Sequence, residues 1–255
     1  MAGAAAERVE GPAWPVELGF VDAVGIERRV GLSSCAGVRF EDVRPVRTFR
    51  WSRSLGHFPG WWWAATTGRH VGYESWLERD HVRALDFDRD IVGIASQPFW
   101  LHWEAERGRR RHAPDYFARR LDGTGVVVDV RGEDRIAAVD AEAFAVTAQV
   151  CALLGWEFRR VGELDPVWGG NLRWLARYRH PRCAGRAEIV RGLREVFAVS
   201  APLLAGAEEV GDRLAVLPVL FHLMWRHELV ADLRQLRLGP ASMVHTAAAA
   251  AGGPR

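Results

Sequence analysis

Lysine is missing from this chain. All 34 of its basic residues other than histidine are arginine, set against 32 acidic ones, for a formal net charge of +2. So even a balance excludes a histone-like protein that coats polyanions by bulk charge, and any contact with nucleic acid has to be local. The lack of lysine also removes one kind of chemistry: arginine stays protonated in a protein, whereas a lysine can lose its proton when its surroundings lower its pKa. Cysteine is scarce too, since Cys35, Cys151 and Cys183 are odd in number, far apart and form no C-x-x-C pair. That argues against a disulfide framework and a structural zinc site, and a reducing cytoplasm is the expected setting. His180 with Cys183 is the nearest approach to a ligand pair and reads as loop residues. No apolar run approaches the roughly 20 residues of a membrane span, so no membrane crossing is expected. Residues 1–12 are alanine-rich with no basic start followed by an apolar stretch, so a frayed end is expected there and not a secretion signal.

What the chain has in quantity is apolar residues: 49% of its 255 residues are hydrophobic, enough for a substantial core. Residues 1–65 show little periodicity and are expected to form a partly irregular N-terminal extension, with short apolar pieces at 16–24 and 38–40. The aromatic run Trp61-Trp62-Trp63 could stack nucleic-acid bases, but packing onto the main core is the preferred reading. From Tyr73 the pattern sharpens. Residues 74–87 read as a helix with Tyr73, Trp76, Leu77, Ala84 and Leu85 on one apolar side. Residues 91–95 and 99–103 read as short strands separated by Pro98. A charged turn is expected at 106–111, then a hairpin of strands 112–119 and 126–131 around Asp122-Gly123. A helix from Asp140, as N-cap, to Leu154 would face Phe144, Ala148, Cys151 and Ala152 inward, ahead of a strand at 157–161. Helix, strands, hairpin, helix and strand make 66–170 an α/β core, a mixed sheet flanked by helices. Residues 171–245 turn helical, most clearly at 187–199 and 214–236, and are expected to form a small accessory unit. The Ala- and Gly-rich tail, 246–255, is expected to be disordered.

The hairpin carries the chemistry. In its second strand the period of two puts Asp129 and Arg131 on one face and Val128 and Val130 on the other. A charged pair on an otherwise all-valine strand is costly if buried without partners, so that face is either solvated or used. Whether Asp115 joins it depends on the turn. A two-residue Asp122-Gly123 turn pairs Leu121 with Thr124 and puts Asp115 on the side away from Asp129. A three-residue loop with Gly123 left-handed pairs Arg120 with Thr124 and sets Asp115 directly across from Asp129. The opposed Cβ atoms would then lie about 5 Å apart. Two carboxylates that close repel unless a divalent cation lies between them. Mg2+, or Mn2+ in its place, suits such a set, because it takes one or two carboxylates with waters and phosphate oxygens and can activate water for attack on phosphorus. Glu74 and Glu78 share a face of the preceding helix, and Glu78 is the candidate third carboxylate. Glu78, Asp115 and Asp129 are thus the candidate metal ligands, with Arg131 beside them as a fourth candidate catalytic residue.

Other features carry two readings each. Arg109, Arg110 and Arg111, with His112, could contact phosphates or form an ordinary solvated turn. Gln149 could reach the site as a phosphate or water contact, although an isolated helical glutamine more often faces solvent. Arg159 and Arg160 suit either DNA contact or protection of an edge strand. His222 and His227 read as packing or interface residues. For the hairpin itself, the competing reading is a solvated face with ordinary surface carboxylates.

The same residues resemble the TnsA-type endonuclease subunit of heteromeric transposases, within the PD-(D/E)XK nucleases. The likeness runs over about 66–236 and is most specific in Glu74-Ser75-Trp76-Leu77-Glu78, Gln97-Pro98-Phe99, His112-Ala113-Pro114-Asp115-Tyr116-Phe117 and Val128-Asp129-Val130-Arg131. Gly155-Trp156-Glu157-Phe158 and Leu217-Pro218-Val219-Leu220-Phe221-His222-Leu223 add to it. The resemblance implies a restriction-endonuclease-like fold with Mg2+ at the active site, and Glu78, Asp115 and Asp129 match the family's acidic positions. It implies phosphodiester hydrolysis at the 5′ ends of a transposon, with a partner transposase of the RNase H-like class acting at the 3′ ends. Double-stranded DNA at the transposon ends, that transposase and an ATP-dependent regulator are the expected partners, met in the cytoplasm at the nucleoid. One position departs from the family, where Arg131 stands in place of lysine. Arginine can donate to phosphate and stabilise developing charge, but water activation is then left to the metal. Two other functions stay open: a stand-alone repair or restriction nuclease of the same fold, and a catalytically silent module that binds DNA and recruits a partner.

Overall fold

Leu18 and Phe20 are buried while Glu17 faces solvent, the alternation of a strand with one wet face. The computed structural model describes residues 15–47, 58–105, 108–132 and 138–247, the side chains of 138 and 139 excepted. In it these residues lie on β1 (Glu17–Val21), which pairs antiparallel with β2 (Glu27–Gly31). A two-stranded ribbon follows, β3 (Gly60–Trp63) with β4 (His70–Tyr73), then α1 (Trp76–Phe87) and β5 (Ile91–Ser96). Strands β6 (Trp100–Ala105) and β7 (Gly108–His112) complete the first sheet, in the order β2-β1-β6-β7. The second sheet joins β5 to the hairpin β8 (Tyr116–Arg120) and β9 (Gly125–Val130), and then to β10 (Glu157–Val161). Its order is β10-β9-β8-β5, and it is mixed because β9 and β10 run parallel. A parallel pair needs a crossover connection, and α2 (Ala138–Leu154) supplies it. One core underlies both sheets: Leu18, Phe20, Phe40, Phe99, Leu101, Phe117, Val127 and Val150 belong to a single buried cluster.

The chain is therefore mixed α/β, with several local differences from the expectation. Residues 15–47 do not extend the core but help build it; one unit comprises 1–85 with 90–163, and the other 86–89 with 164–255. The expected strand 112–119 is cut at Ala113–Pro114–Asp115, with β7 in one sheet and β8 in the other. Pro114 has no N–H to give a ladder, so the break falls where pairing would fail anyway. Arg109, Arg110 and Arg111 lie on strand β7, not in a turn. Helix α1 starts at Trp76 and not at Glu74, because Ser75 caps it: the Glu78 N–H donates to Ser75 Oγ (3.1 Å) and that hydroxyl donates to Glu78 Oε1 (3.0 Å). Leu85 is buried as expected, but Trp76, expected inside, is exposed, and His81, Val82 and Phe87 are buried. Asp140 sits in the first turn of α2 and not at its cap, while Ala152 faces solvent and Val146 and Val150 face the core. In the tryptophan run the strand alternation holds, with Trp62 buried and Trp61 exposed.

The second unit starts with α3 (Pro166–Leu175), where Asp165 accepts from the N–H groups of Val167 and Trp168 and Pro166 takes the first turn. Helices α4 (Ala187–Val196), α5 (Leu203–Val210) and α6 (Arg213–Trp225) follow. The unit is not wholly helical. Strands β11 (Ala201–Pro202), β12 (Leu229–Val230) and β13 (Met243–Thr246) form a small sheet in the order β11-β13-β12. The helix expected over 214–236 ends at Trp225, and His227 takes a left-handed φ of 56° just beyond. Asn171 then holds the following segment, its Nδ2 donating to Leu233 O and Leu236 O (2.8 Å each). Thr246 belongs to β13, and the rest of the expected tail, from 248, lies outside the described residues. No helix among the described residues is long and apolar enough to cross a membrane.

Candidate active site

The turn decides where Asp115 goes. Arg120 N–H donates to Thr124 O (2.9 Å), Gly123 has φ 90°, and the ladder runs Arg119↔Gly125, Ala118↔Val126, Phe117↔Val127, Tyr116↔Val128. This is the three-residue loop with a left-handed glycine; the ladder ends at Tyr116↔Val128, and Asp115, one residue beyond it, lines the same cavity as Asp129. Because an L-residue pays roughly 1–2 kcal/mol in that conformation, Gly123→Ala is expected to lower the unfolding free energy by about that amount in a urea titration. An unchanged midpoint would mean that the turn does not hold the register.

At the open end of the hairpin, Asp115 Oδ2 accepts the N–H of Val130 (2.7 Å), which clamps the Asp115 turn onto β9. The side chain of Asp129 is almost wholly buried, and His112 Nε2 lies 2.9 and 3.0 Å from its two carboxylate oxygens. A carboxylate can only accept here, so Nε2 is the protonated nitrogen that donates to it. The imidazole also stands edge-on to Phe144 of α2, at 6.0 Å between ring centres. Glu78 reaches back over the start of α1, its Oε2 accepting the Glu74 N–H (2.7 Å). Tyr116 ties that helix start to β8 by donating to Gly72 O or Glu78 O, 3.2 Å from each.

Electrostatics joins the three acids. Burial pushes the Asp115 carboxyl well above its ordinary range, and the charges of Glu78 and Asp129 push it further. Glu78 is also raised, by burial first, against the lowering pull of the Glu74 N–H and the Ser75 hydroxyl, with the charge of Glu74 adding to the rise. A cavity of about 160 Å³ opens on this hairpin end, lined by Asp115, Asp129 and His112, with Arg47, Arg111 and Arg131 in its walls and Trp100 and Phe144 beside them. Glu78 is not among the lining residues.

Of the sequence candidates, the cavity thus gathers Asp115, Asp129, Arg131 and Arg111. The Arg131 side chain is part-exposed, 3.8 Å from Asp140. Arg109 is strongly exposed and pairs with Glu104 (2.9 Å), and neither it, Arg110 nor Gln149 lines the cavity. Among the members not foreseen as site residues are Arg47, Trp100, Phe144 and His112 as the partner of Asp129. Arg47 comes from a segment without periodicity and pairs with Glu74 (2.7 Å). No local signal marks it.

Among the described residues no three Asp, Glu, His or Cys side chains converge as a ready-made metal-ligand set. Asp115 and Asp129 nevertheless suit a hard cation, since Mg2+ needs only one or two carboxylates and keeps its waters. Burial first, and then the charges of Glu78 and Asp129, raise the Asp115 carboxyl, and a divalent cation would relieve the repulsion among the acids. No family model matches the chain, and no curated protein matches it.

Proposed function

We propose that this chain is a divalent-cation-dependent DNA endonuclease of the PD-(D/E)XK type, acting at the 5′ ends of a transposon as one subunit of a heteromeric transposase. The observation that carries the reading is the pair Asp115 and Asp129 in a cavity walled by Arg47, Arg111 and Arg131. The mixed sheet β10-β9-β8-β5, with α1 before it and α2 crossing from β9 to β10, supports a restriction-endonuclease-like core. Asp115 and Asp129 would hold Mg2+ or Mn2+, with Glu78 as the third acid behind them; the cation supplies a polarised phosphate and a more acidic water. The chain's own groups do the rest. His112 fixes the orientation of Asp129, and the three arginines hold the phosphate and offset charge that builds up on it. An RNase H-like transposase and an ATP-dependent regulator are the proposed partners, with the transposon ends as substrate and the nucleoid as the place of action.

The test is nicking of supercoiled plasmid in Mg2+, Mn2+ or EDTA, with Asp129→Ala as control, and with and without the RNase H-like partner. Metal-dependent nicking that disappears in Asp129→Ala supports the reading. No cleavage in any arm, even with the partner and its DNA ends, leaves the silent DNA-binding module, which the arginine at 131 favours. Cutting without any partner, at sites unrelated to a transposon, favours the stand-alone nuclease. Arg131 itself makes a sharper prediction. Arg131→Ala is expected to cost about 10²-fold in nicking rate, the worth of one donor aimed at developing charge. Arg131→Lys is expected to gain about tenfold over the natural residue, because lysine can position water and, once its surroundings have lowered its pKa and it has lost its own proton, accept one from that water. Equal rates for all three side chains would remove residue 131 from the chemistry.

A further inference from the structure

The outer face of the first sheet runs directly into the active cavity. Across it, Glu17, His102 and Arg111 lie in one row, and Arg29, Gly19 and Trp100 in the next. Their strand neighbours Leu18, Leu101 and Trp103 are buried, so these residues occupy the opposite, outward side. Arg111 and Trp100 are shared with the cavity, and the Arg111 guanidinium lies 4.2 Å from the centre of the Trp100 ring. A second groove of about 410 Å³ continues over the same strands, lined by Glu17, Arg29, His102, Glu104, Arg109 and Arg110. Next to the cavity this gives three outward arginines (29, 109 and 111) against Glu17 and Glu104, since Arg110 lies across from the buried Trp103 and faces the other way. His102 reports the resulting field: burial, then Arg29 and Arg111, hold its proton affinity below the usual histidine range. Gly19 keeps the floor bare, since a Cβ there would come within 3.2 Å of His102 Nε2.

We propose that this face is a phosphate track, carrying the DNA backbone that flanks the bond to be cut, with Arg111 as the joint to the cavity and Arg29 and Arg109 as further phosphate contacts. The inference rests on the nuclease reading and deepens it. From β2 to β7 the track crosses three inter-strand gaps, about 14 Å, a span suited to contact with the phosphate backbone. Arg29 and Arg109 are paired with Glu17 (2.6 Å) and Glu104 (2.9 Å), so phosphate must compete with those carboxylates. That competition gives the two kinds of residue opposite signs.

The experiment is fluorescence anisotropy with a short labelled duplex of arbitrary sequence, in EDTA and over a range of salt, with plasmid nicking measured alongside. The double variant Arg29→Ala/Arg109→Ala is expected to bind about tenfold more weakly at low salt, with a log–log salt slope shallower by about 1.8, since each lost phosphate contact removes ~0.9. Glu17→Gln/Glu104→Gln is expected to bind about threefold more tightly, because removing like charge from a rim favours the polyanion. Exposed ion pairs add little to stability, so a purely structural role predicts no gain. Unchanged binding in both double variants, or weaker binding in the glutamine one, overturns the track; if wild-type nicking is intact, the nuclease reading survives. Failure of the wild type to bind the duplex at low salt overturns both.

Discussion

Asp115→Asn is expected to abolish cleavage and, in the absence of divalent cation, to stabilise the protein. The two effects have one cause. Asp115 is held where its charge is disfavoured, by burial and by the charges of Glu78 and Asp129. Asparagine keeps an oxygen to accept the Val130 N–H but removes the charge a cation would need. Even outer partners of a metal ligand are worth about 10–100-fold, so loss of the ligand itself should cost more than roughly a hundredfold in nicking. The stability gain has a definite pH dependence. A carboxyl whose folded-state pKa is raised binds more protons in the native state than in the unfolded one. Its contribution is therefore fully present below the ordinary value of 3.8 and is lost as pH rises through the raised folded value. Glu78, shifted the same way, adds to it. Other carboxyls act with the opposite sign: the Ile26 N–H lowers Asp22, and Arg159 lowers Glu157. The useful quantity is therefore the difference in melting temperature between Asp115→Asn and wild type, followed in EDTA as pH is raised. It should grow toward neutral pH and shrink when Mn2+ is added, which stabilises only the wild type. A difference that is flat with pH, or a variant that melts lower throughout, would show that the acids do not strain the empty site.

Much of this site could be read from short-range pattern. The strand at Glu157–Val161 follows from its residues alone, and the D-x-R pattern marked Asp129 and Arg131, both of which line the cavity. The sequence left the turn open between two forms, and Gly123, the residue a left-handed loop position favours, belongs to the form that is found. What escaped was non-local. Nothing near His112 says that it pairs with Leu101, on the far side of the gap between β6 and β7, while Tyr116 pairs with Ser96 in another sheet. Arg47 reaches the cavity because Val46 N–H donates to Gln97 O (3.0 Å) and Gln97 N–H donates to Asp115 O (2.8 Å). That bridge depends on Gln97 taking φ 45°, a conformation disfavoured for glutamine, which only the surrounding fold can impose. In the second unit, β11 and β12 are two residues each, too short to show any period.

The clearest consequence of the non-local packing is at Phe40, in a stretch that reads as part of an irregular extension. Its ring is fully buried, on a short 3-10 turn (Phe40–Asp42). It lies 5.1–5.7 Å from the rings of Phe20, Phe99, Phe117 and Trp156, at angles that are mostly edge-to-face. Phe20 belongs to the first sheet and Phe117 to the hairpin strand β8, so one side chain joins the N-terminal strands to the strand that follows Asp115. The surroundings have little room to collapse: a Cβ on Gly125 would meet Trp156 Cδ1 at 2.8 Å and Phe117 Cζ at 2.9 Å. Phe40→Ala is therefore expected to leave an open cavity and to cost about 3–5 kcal/mol. At 2–4 °C per kcal/mol for a unit of this size, the melting temperature should fall by roughly 10 °C. The next residue transmits the loss, because Glu41 accepts from Arg119 of β8 (3.0 Å). Nicking at low temperature should survive while its thermal inactivation moves down with the melting point. If the N-terminal stretch were only appended to a separate nuclease unit, Phe40→Ala would leave both transitions in place; a shared core requires that they move together.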